Sequence, residues 1–178
     1  MADLRTQRTK KAIVDAFVML VNQHGFLTET VTEIAKRAMI NRQTFYNYYE
    51  DKYDLARRLA DETLTKFEAI SRERLKYLRQ QKSVILLFQS AVVKEMLVDR
   101  EQVLALLKIR SAQANFRERL QLLMSQALLD IDGEFSSLEI NVLSNVFIEI
   151  FTYCFEHNRL PTETEVKHLR AALNKVLR

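Results

Sequence analysis

The scarcity of glycine and proline is the feature that most restricts the fold of this chain. Its 178 residues include two glycines and one proline, and 48% of them are hydrophobic. Folds rich in β-turns need many more of both residue types, whereas helical folds use them mainly at helix ends. The hydrophobic share is large enough to form a substantial core. The sequence therefore predicts an all-α protein.

Helix-boundary signals divide the chain. A helical apolar pattern ends at Gly25, and Thr30-x-x-Glu33 has the spacing of an N-terminal capping box. Asn41 is suited to cap a third, short helix through Tyr48, and Asp51 is suited to cap a fourth, long one. Similar signals recur towards the C-terminus. They predict about nine helices, three short ones in front and six in a larger bundle.

Segment 40–52, INRQTFYNYYEDK, combines aromatic rings with polar side chains. At about 100° per residue, Phe45, Tyr48 and Tyr49 lie on one side of a helix, whereas Gln43 and Asn47 point the opposite way. The rings are placed to anchor this helix against its neighbours. The polar residues are placed to face outwards.

The outward side chains have the chemistry of a DNA reader. Glutamine and asparagine can pair with adenine edges, Arg42 can pair with guanine, and the Thr44 methyl can pack on a thymine methyl. The hydroxyl of Tyr46, at the flank, suits a phosphate. A short helix, a turn and a second short helix form a helix-turn-helix, whose second helix enters the major groove.

The sequence TVTEIAKRAMINRQTFYNYYEDKYDL resembles the N-terminal DNA-binding module of the TetR family of transcriptional regulators. The matching pattern includes Gly25-Phe26, Thr44-Phe45-Tyr46, and the pair Tyr49 and Lys52. This resemblance implies a helix-turn-helix DNA-binding domain at residues 1–52 and a helical regulatory and dimerisation domain at residues 53–178. It also implies a homodimeric repressor that binds a palindromic double-stranded DNA operator.

The resemblance further implies roles for individual DNA-binding residues. Base edges would be faced by Gln43, Thr44 and Asn47, and phosphates would be contacted by Thr30 or Thr32. The DNA backbone would be held by Tyr46 and Lys52, and Arg42 would serve either phosphate or base.

Two features count against tight DNA binding. The first 55 residues hold eight Lys or Arg against seven Asp or Glu, so we expect modest nonspecific affinity and a shallow salt dependence. Met39 occupies the turn position where the family usually has glycine. A left-handed backbone at that residue would cost roughly 1–2 kcal/mol.

The helix predicted around residues 138–155 is apolar over a wide arc, which fits either the centre of a bundle or an oligomer interface. The residues leave both uses open. In TetR-like proteins, the last two helices pair with those of a second copy. The resemblance therefore implies a dimer interface formed by Leu143, Phe147, Ile150, Phe151, Leu169 and Leu173.

Segment 83–131 would form the sensor. In the family, a small molecule bound among such helices releases the DNA, and here a small hydrophobic ligand would lie near Phe88, Met96 and Met124. The reader segment also resembles a TetR subgroup whose regulator is controlled by a protein co-regulator rather than by a ligand. Control of a regulator or activator by a protein partner therefore stays as an alternative.

Other classes of protein have weaker support. The sequence contains no phosphate-binding glycine loop, HExxH or nucleophile elbow, so we predict no enzyme, no catalytic residue and no cofactor. Cys154 and His157 are spaced to share a helix face, but two ligands do not make a zinc site. A single cysteine, no signal peptide and no apolar run of ~20 residues favour the cytoplasm over a membrane. An adaptor protein with a vestigial reader is the remaining alternative.

Overall fold

The computed structural model describes residues 2–81, 97–111, 114–131 and 134–176. These residues form α-helices and no strand, which confirms the all-α prediction. Eight α-helices and one short 3-10 helix lie in the described part, close to the nine expected. They are α1 (Ala2–His24), α2 (Val31–Arg37), α3 (Arg42–Tyr46), α4 (Lys52–Gln81), the 3-10 helix Leu97–Asp99, α5 (Arg100–Lys108), α6 (Phe116–Ile131), α7 (Ser137–His157) and α8 (Glu163–Val176).

The predicted helix boundaries rest on local hydrogen bonds. Helix α1 ends before Gly25, which has φ = 88°, and the Gly25 amide donates to the Val21 carbonyl over 3.0 Å. Capping boxes precede α2 at Thr30 and α7 at Ser136. A third box at Thr162 precedes α8, where Glu165 accepts from the Thr162 amide over 2.7 Å.

Helix α3 is shorter than the sequence predicts. The pattern of aromatic residues predicts a helix through Tyr48, but α3 ends at Tyr46. The amide of Tyr48 donates to the Phe45 carbonyl over 2.9 Å, three residues back. This tighter turn ends the regular helix and still directs Tyr49 towards the core, where it is buried.

The chain divides into two compact units, of which the first comprises Met1–Lys66 and Glu101–Leu120. Its core is apolar and drawn from α1 to α6. Asn22 on α1 donates over 2.8 Å to the Glu101 carbonyl, and Lys108 donates to the Asn22 side chain over 3.1 Å. The fully or almost fully buried side chains of this core include Ile13, Phe17, Val21, Ile34, Phe45, Leu55, Val103, Leu106 and Phe116.

The second unit comprises Phe67–Arg100 and Gln121–Arg178. Phe151 lies 5.4 Å from Phe67 and 4.5 Å from Phe155 between ring centroids. The Arg100 guanidinium donates over 2.6 Å to the Phe155 carbonyl. Asn158 ends α7 with φ = 51°, a left-handed conformation that asparagine tolerates well.

Candidate nucleic-acid interface

Helix α3 separates its anchor from its polar face. Phe45 is 0% exposed, and its ring centroid lies 5.7 Å from that of Tyr49. Gln43 and Asn47 are exposed, as is Arg42, whereas Thr44 is half-buried. The buried ring therefore fixes the rotation of the helix about its axis. The three polar side chains are left available to an outside partner.

Arg42 and Tyr46 act as one polar unit on this face. The Arg42 Nε and Nη2 atoms donate to the Tyr46 hydroxyl oxygen over 3.2 and 2.9 Å, and the guanidinium carbon lies 5.4 Å from the ring centroid. The phenol accepts these bonds and keeps its own proton to donate. A phosphate oxygen is a suitable acceptor for that proton.

The start of α2 is fixed by its capping box. The Thr30 hydroxyl accepts from the Glu33 amide over 3.2 Å and donates to Glu33 Oε2 over 2.9 Å. These hydrogen bonds from Thr30 hold the pKa of the Glu33 carboxyl below its usual value. Thr30 and Thr32 are both exposed beside this helix end. The Thr30 hydroxyl already has an intramolecular partner, whereas Thr32 has none within the described residues.

Lys52 lies where the resemblance places a DNA-backbone contact, yet its ammonium faces the protein. It donates hydrogen bonds to the carbonyls of Phe26, Leu27 and Glu29 over 2.9, 3.1 and 2.8 Å. It also lies 4.8 Å from the Phe26 ring centroid. These contacts use all three protons of the ammonium. In this structure, Lys52 ties the first turn of α4 to the segment between α1 and α2.

The turn between α2 and α3 contains the left-handed residue anticipated from the sequence. Met39 has φ = 54° and is 93% exposed. The amide of Ile40 donates to the Ala35 carbonyl over 3.0 Å across this turn. A methionine thus adopts a conformation that glycine takes more readily. The helix-turn-helix geometry is kept at the cost of local strain.

Acidic residues near the reader are engaged by their own chain. Asp51 Oδ1 accepts from the amides of Tyr53 and Asp54, each over 2.8 Å, and so caps α4. The Asp54 carboxylate is buried, which by itself raises its pKa. Hydrogen bonds from Arg58 and the Glu50 amide outweigh the burial, so the net pKa is lowered. These two carboxylates are partly neutralised by intramolecular donors.

Glu29, between α1 and α2, was not identified from the sequence as part of this site. Its side chain is 3% exposed, and Oε1 lies 2.7 Å from the Nδ1 atom of His24. Its backbone carbonyl is one of the three held by Lys52. Glu29 lies between two helices, where no helical period indicates which side chains are buried. The structure shows this residue in a segment that Lys52 joins to the first turn of α4.

The residues expected at a dimer interface lie on α7 and α8. Phe147 is almost fully buried in the chain itself, and Leu169 is 40% exposed. The Leu173 side chain lies outside the described residues. The other three residues of the expected interface are half-buried: Leu143, Ile150 and Phe151.

The expected ligand-pocket residues are only partly described. Phe88 and Met96 lie outside the described residues. Met124 is half-buried on α6. The pocket therefore stays a prediction.

Cys154 and His157 each have a local environment of their own. Burial raises the pKa of the Cys154 thiol to about 11, so it stays protonated at neutral pH. His157 Nδ1 lies 3.0 Å from the Tyr153 carbonyl, and its ring stacks on that of Tyr153. Within the described ranges, no three His, Cys, Asp or Glu side chains gather as metal ligands.

Helix α7 is long and rich in apolar residues. Among the described helices it is the one whose length and composition would suffice to cross a membrane, with a mean hydropathy of 1.3. Core helices of soluble proteins pass the same test. Of its most apolar window, 28% is buried within the chain.

Residues 13–59 match the family described as bacterial regulatory proteins, tetR family. A comparison with curated protein sequences gave no significant match. Several solved structures share the fold. The fatty acid degradation regulator FadR from Bacillus halodurans has a TM-score of 0.59 at 18% identity, over 84% of this chain and 86% of its own.

Two further solved structures resemble nearly the whole chain. A TetR-family transcriptional regulator from Streptomyces coelicolor has a TM-score of 0.55 at 18% identity, over 95% of this chain and 97% of its own. The FadR repressor of Thermus thermophilus in complex with lauroyl-CoA has a TM-score of 0.51 at 21% identity, over 92% and 93%. At these identities the likeness shows the fold alone.

Proposed function

We propose that this chain, whose residues 13–59 match the tetR family of bacterial regulatory proteins, is a homodimeric repressor that acts in the cytoplasm. In this proposal it binds a palindromic DNA operator, and a small hydrophobic ligand releases it. One observation carries the proposal. Helix α3 is anchored by a fully buried Phe45 and presents Gln43, Asn47 and Arg42 to the outside.

Each residue of the reader has a separate role in this proposal. Gln43 and Asn47 contact base edges in the major groove, with the Thr44 methyl beside them. Tyr46, oriented by Arg42, donates its proton to a phosphate. Thr32, with Thr30 at the cap, adds a phosphate contact at the start of α2. Lys52, which resemblance assigns to the DNA backbone, supports the reader by holding the segment that leads to Thr30.

Dimerisation is proposed from the apolar surface on α7 and α8. The proposed interface contains the exposed Leu169 and three half-buried residues, Leu143, Ile150 and Phe151. Its other members are Phe147 and Leu173. Pairing these helices with those of a second copy removes apolar surface from water, which is favourable by about 25 cal/mol per Å². Two reading helices about 34–36 Å apart would then fit two operator half-sites one DNA turn apart.

Release by a small hydrophobic ligand is the most specific part of the proposal. The related fold of the Thermus thermophilus repressor holds lauroyl-CoA, so this architecture can accommodate an apolar chain. In our chain the ligand would lie near Phe88, Met96 and Met124. It would release DNA by binding better to a conformation with a different spacing of the reading helices.

Selection of bound sequences from a random double-stranded DNA pool tests the proposal. The purified wild-type protein should enrich an inverted repeat. The Gln43→Ala and Asn47→Ala variants should each lose one base preference, whereas Tyr46→Phe should weaken binding to all sequences alike. Gln126→Ala removes another exposed glutamine, on α6, and serves as the matched control. A folded wild-type protein that enriches no sequence at low salt would overturn the proposal.

A further inference from the structure

Three polar side chains join α7 to α8, and we call this cluster of Tyr153, Arg159 and Glu165 the hairpin clamp. Tyr153 lies on α7, Arg159 lies in the connection, and Glu165 lies in the first turn of α8. Arg159 donates from Nη1 to Glu165 Oε2 over 2.8 Å and from Nη2 to Oε1 over 2.6 Å. The Tyr153 hydroxyl donates to Glu165 Oε1 over 3.1 Å and accepts from Arg159 Nη2. Each side chain of the clamp is thus bonded to the other two.

The Glu165 carboxylate has two tasks at once. Its Oε2 atom also accepts from the Thr162 amide over 2.7 Å, so the same group caps α8 and closes the clamp. Hydrogen bonds from Arg159, followed by those from Thr162, hold the pKa of the Glu165 carboxyl well below its ordinary value. A bidentate pair of guanidinium and carboxylate fixes the relative orientation of its two groups more strictly than a single contact does. The clamp therefore relates the start of α8 to the last turns of α7.

The end of α7 is itself held in place. Arg100 donates to the carbonyls of Phe155 and Glu156 over 2.6 and 3.1 Å, and so satisfies two groups that the helix leaves without an internal partner. The His157 ring stacks on the Tyr153 ring with 4.0 Å between their centroids. These contacts keep the Tyr153 side chain and the last turn of α7 in one arrangement. The clamp thus fastens α8 to a fixed support.

Helix α8 is attached to the chain mainly through its first turn. Of the twelve side chains described on this helix, ten are exposed, and the two half-buried ones are Glu165 and Val166. A helix of 14 residues is marginally stable when it stands alone in water. Its apolar residues include Val166, Leu169 and Ala172, three residues apart, which places them along one side. The direction of this exposed helix therefore depends on the contacts at its start, where the clamp lies.

We propose that Arg159 and Glu165 are positioning residues for self-association, because the clamp sets the direction in which α8 leaves α7. This inference rests on the proposed homodimer and adds the contact that orders its interface. Leu169 on α8 and the half-buried Leu143 and Ile150 on α7 then reach a second copy as one surface. Two helices whose mutual angle is fixed beforehand lose less conformational freedom on binding, which raises the affinity. Without the clamp, α8 would have to be ordered during association.

The test measures the dissociation constant of the dimer by sedimentation equilibrium, for the full chain and for Arg159→Gln, Glu165→Gln and Tyr153→Phe. Glu139→Gln is the matched control, because Glu139 belongs to the equivalent capping box of α7 and bonds to Ser136 without an arginine partner in the described part of the chain. Circular dichroism during heating verifies that each variant folds.

A second measurement reports the geometry of the dimer. A spin label at Gln126→Cys, an exposed position on α6, gives the distance between the two copies by double electron–electron resonance. It is measured with and without Arg159→Gln, at concentrations where both proteins are dimeric.

Arg159→Gln and Glu165→Gln should each raise the dissociation constant by about fivefold, the upper range for an ion pair as exposed as this one. Tyr153→Phe, which removes one hydroxyl from the clamp, should raise it by a smaller factor, and Glu139→Gln should leave it unchanged. The distances between labels should be spread more broadly in Arg159→Gln than in wild type.

Three results would overturn the positioning role and leave the dimer intact. They are an unchanged dissociation constant in the clamp variants, an equal increase in Glu139→Gln, and a distribution of label distances in Arg159→Gln as narrow as that of wild type. Wild-type protein that stays monomeric would overturn the proposed homodimer itself, and the clamp with it.

Discussion

The Lys52 ammonium donates a 2.8 Å hydrogen bond to the backbone carbonyl of Glu29, so the first turn of α4 is fastened to the segment that leads into α2. Glu29 directly precedes Thr30, the N-cap of α2. The position of a proposed phosphate contact is thereby coupled to α4. A lysine that would suit DNA is instead occupied by the protein itself.

Replacing Lys52 by methionine should lower the free energy of unfolding by about 2 kcal/mol. It removes charge-assisted hydrogen bonds to three carbonyls, and bonds of this kind contribute about 1.5–3 kcal/mol each in favourable cases. Urea unfolding measures the decrease. The same variant should bind DNA more weakly with an unchanged salt slope. A slope shallower by about 0.9 would instead identify Lys52 as a phosphate contact.

Replacing Met39 by glycine should stabilise the protein by about 0.5–1 kcal/mol. A non-glycine residue in the left-handed region costs roughly 1–2 kcal/mol, and part of the relief is offset by the greater backbone entropy of glycine in the unfolded chain. Urea unfolding again gives the measurement. Met39→Ala keeps the strained backbone and should show no gain. Equal effects of the two substitutions would argue against strain at this turn.

The capping box of α2 should make stability depend on pH in the acidic range. The Thr30 hydrogen bonds keep the pKa of Glu33 in the folded protein below its ordinary value of 4.5. Its contribution is therefore fully present above pH 4.5 and is lost as the pH falls through the lower folded value. Glu33→Gln should flatten the fall in unfolding free energy over that window.

Glu118 offers a matched control for this box. It also lies three residues after a capping residue, Asn115, but its carboxylate makes no hydrogen bond within the described residues. Glu118→Gln should leave the acid dependence of unfolding as it is in wild type. An equal flattening by both substitutions would show that the box is not its source.

The proposed dimer predicts a difference between two exposed leucines. Leu169 is 40% exposed on α8, and Leu122 is 69% exposed on α6. Leu169→Glu should convert the dimer to monomer, because a carboxylate buried in an apolar interface loses its hydration. Leu122→Glu should remain dimeric. Sedimentation velocity separates the two states, and a dimeric Leu169→Glu protein would exclude Leu169 from the interface.

Local signals explain why the reader was predictable. The boundaries at Thr30 and Asn41 depend on side chains that accept from amides two or three residues away, and the boundary at Gly25 depends on its positive φ. Spacing alone therefore reveals them. Phe45 was assigned to the buried side because the helical period separates it from Gln43. The end of α3 was predicted too late in the sequence, because amides of later residues donate to the carbonyl of Phe45 and tighten the last turn.

The sequence by itself determined the helical class, the capping boxes, and the division of α3 into an anchored and an outward face, since all of these follow from interactions over one or two helical turns. The tertiary structure alone decided that Lys52 faces three carbonyls, and that Glu29 is buried beside His24. It also decided that Asn22 joins α1 to α5, 79 residues away in sequence from its partner Glu101. Such contacts arise when distant segments pack together, and no periodic pattern encodes them.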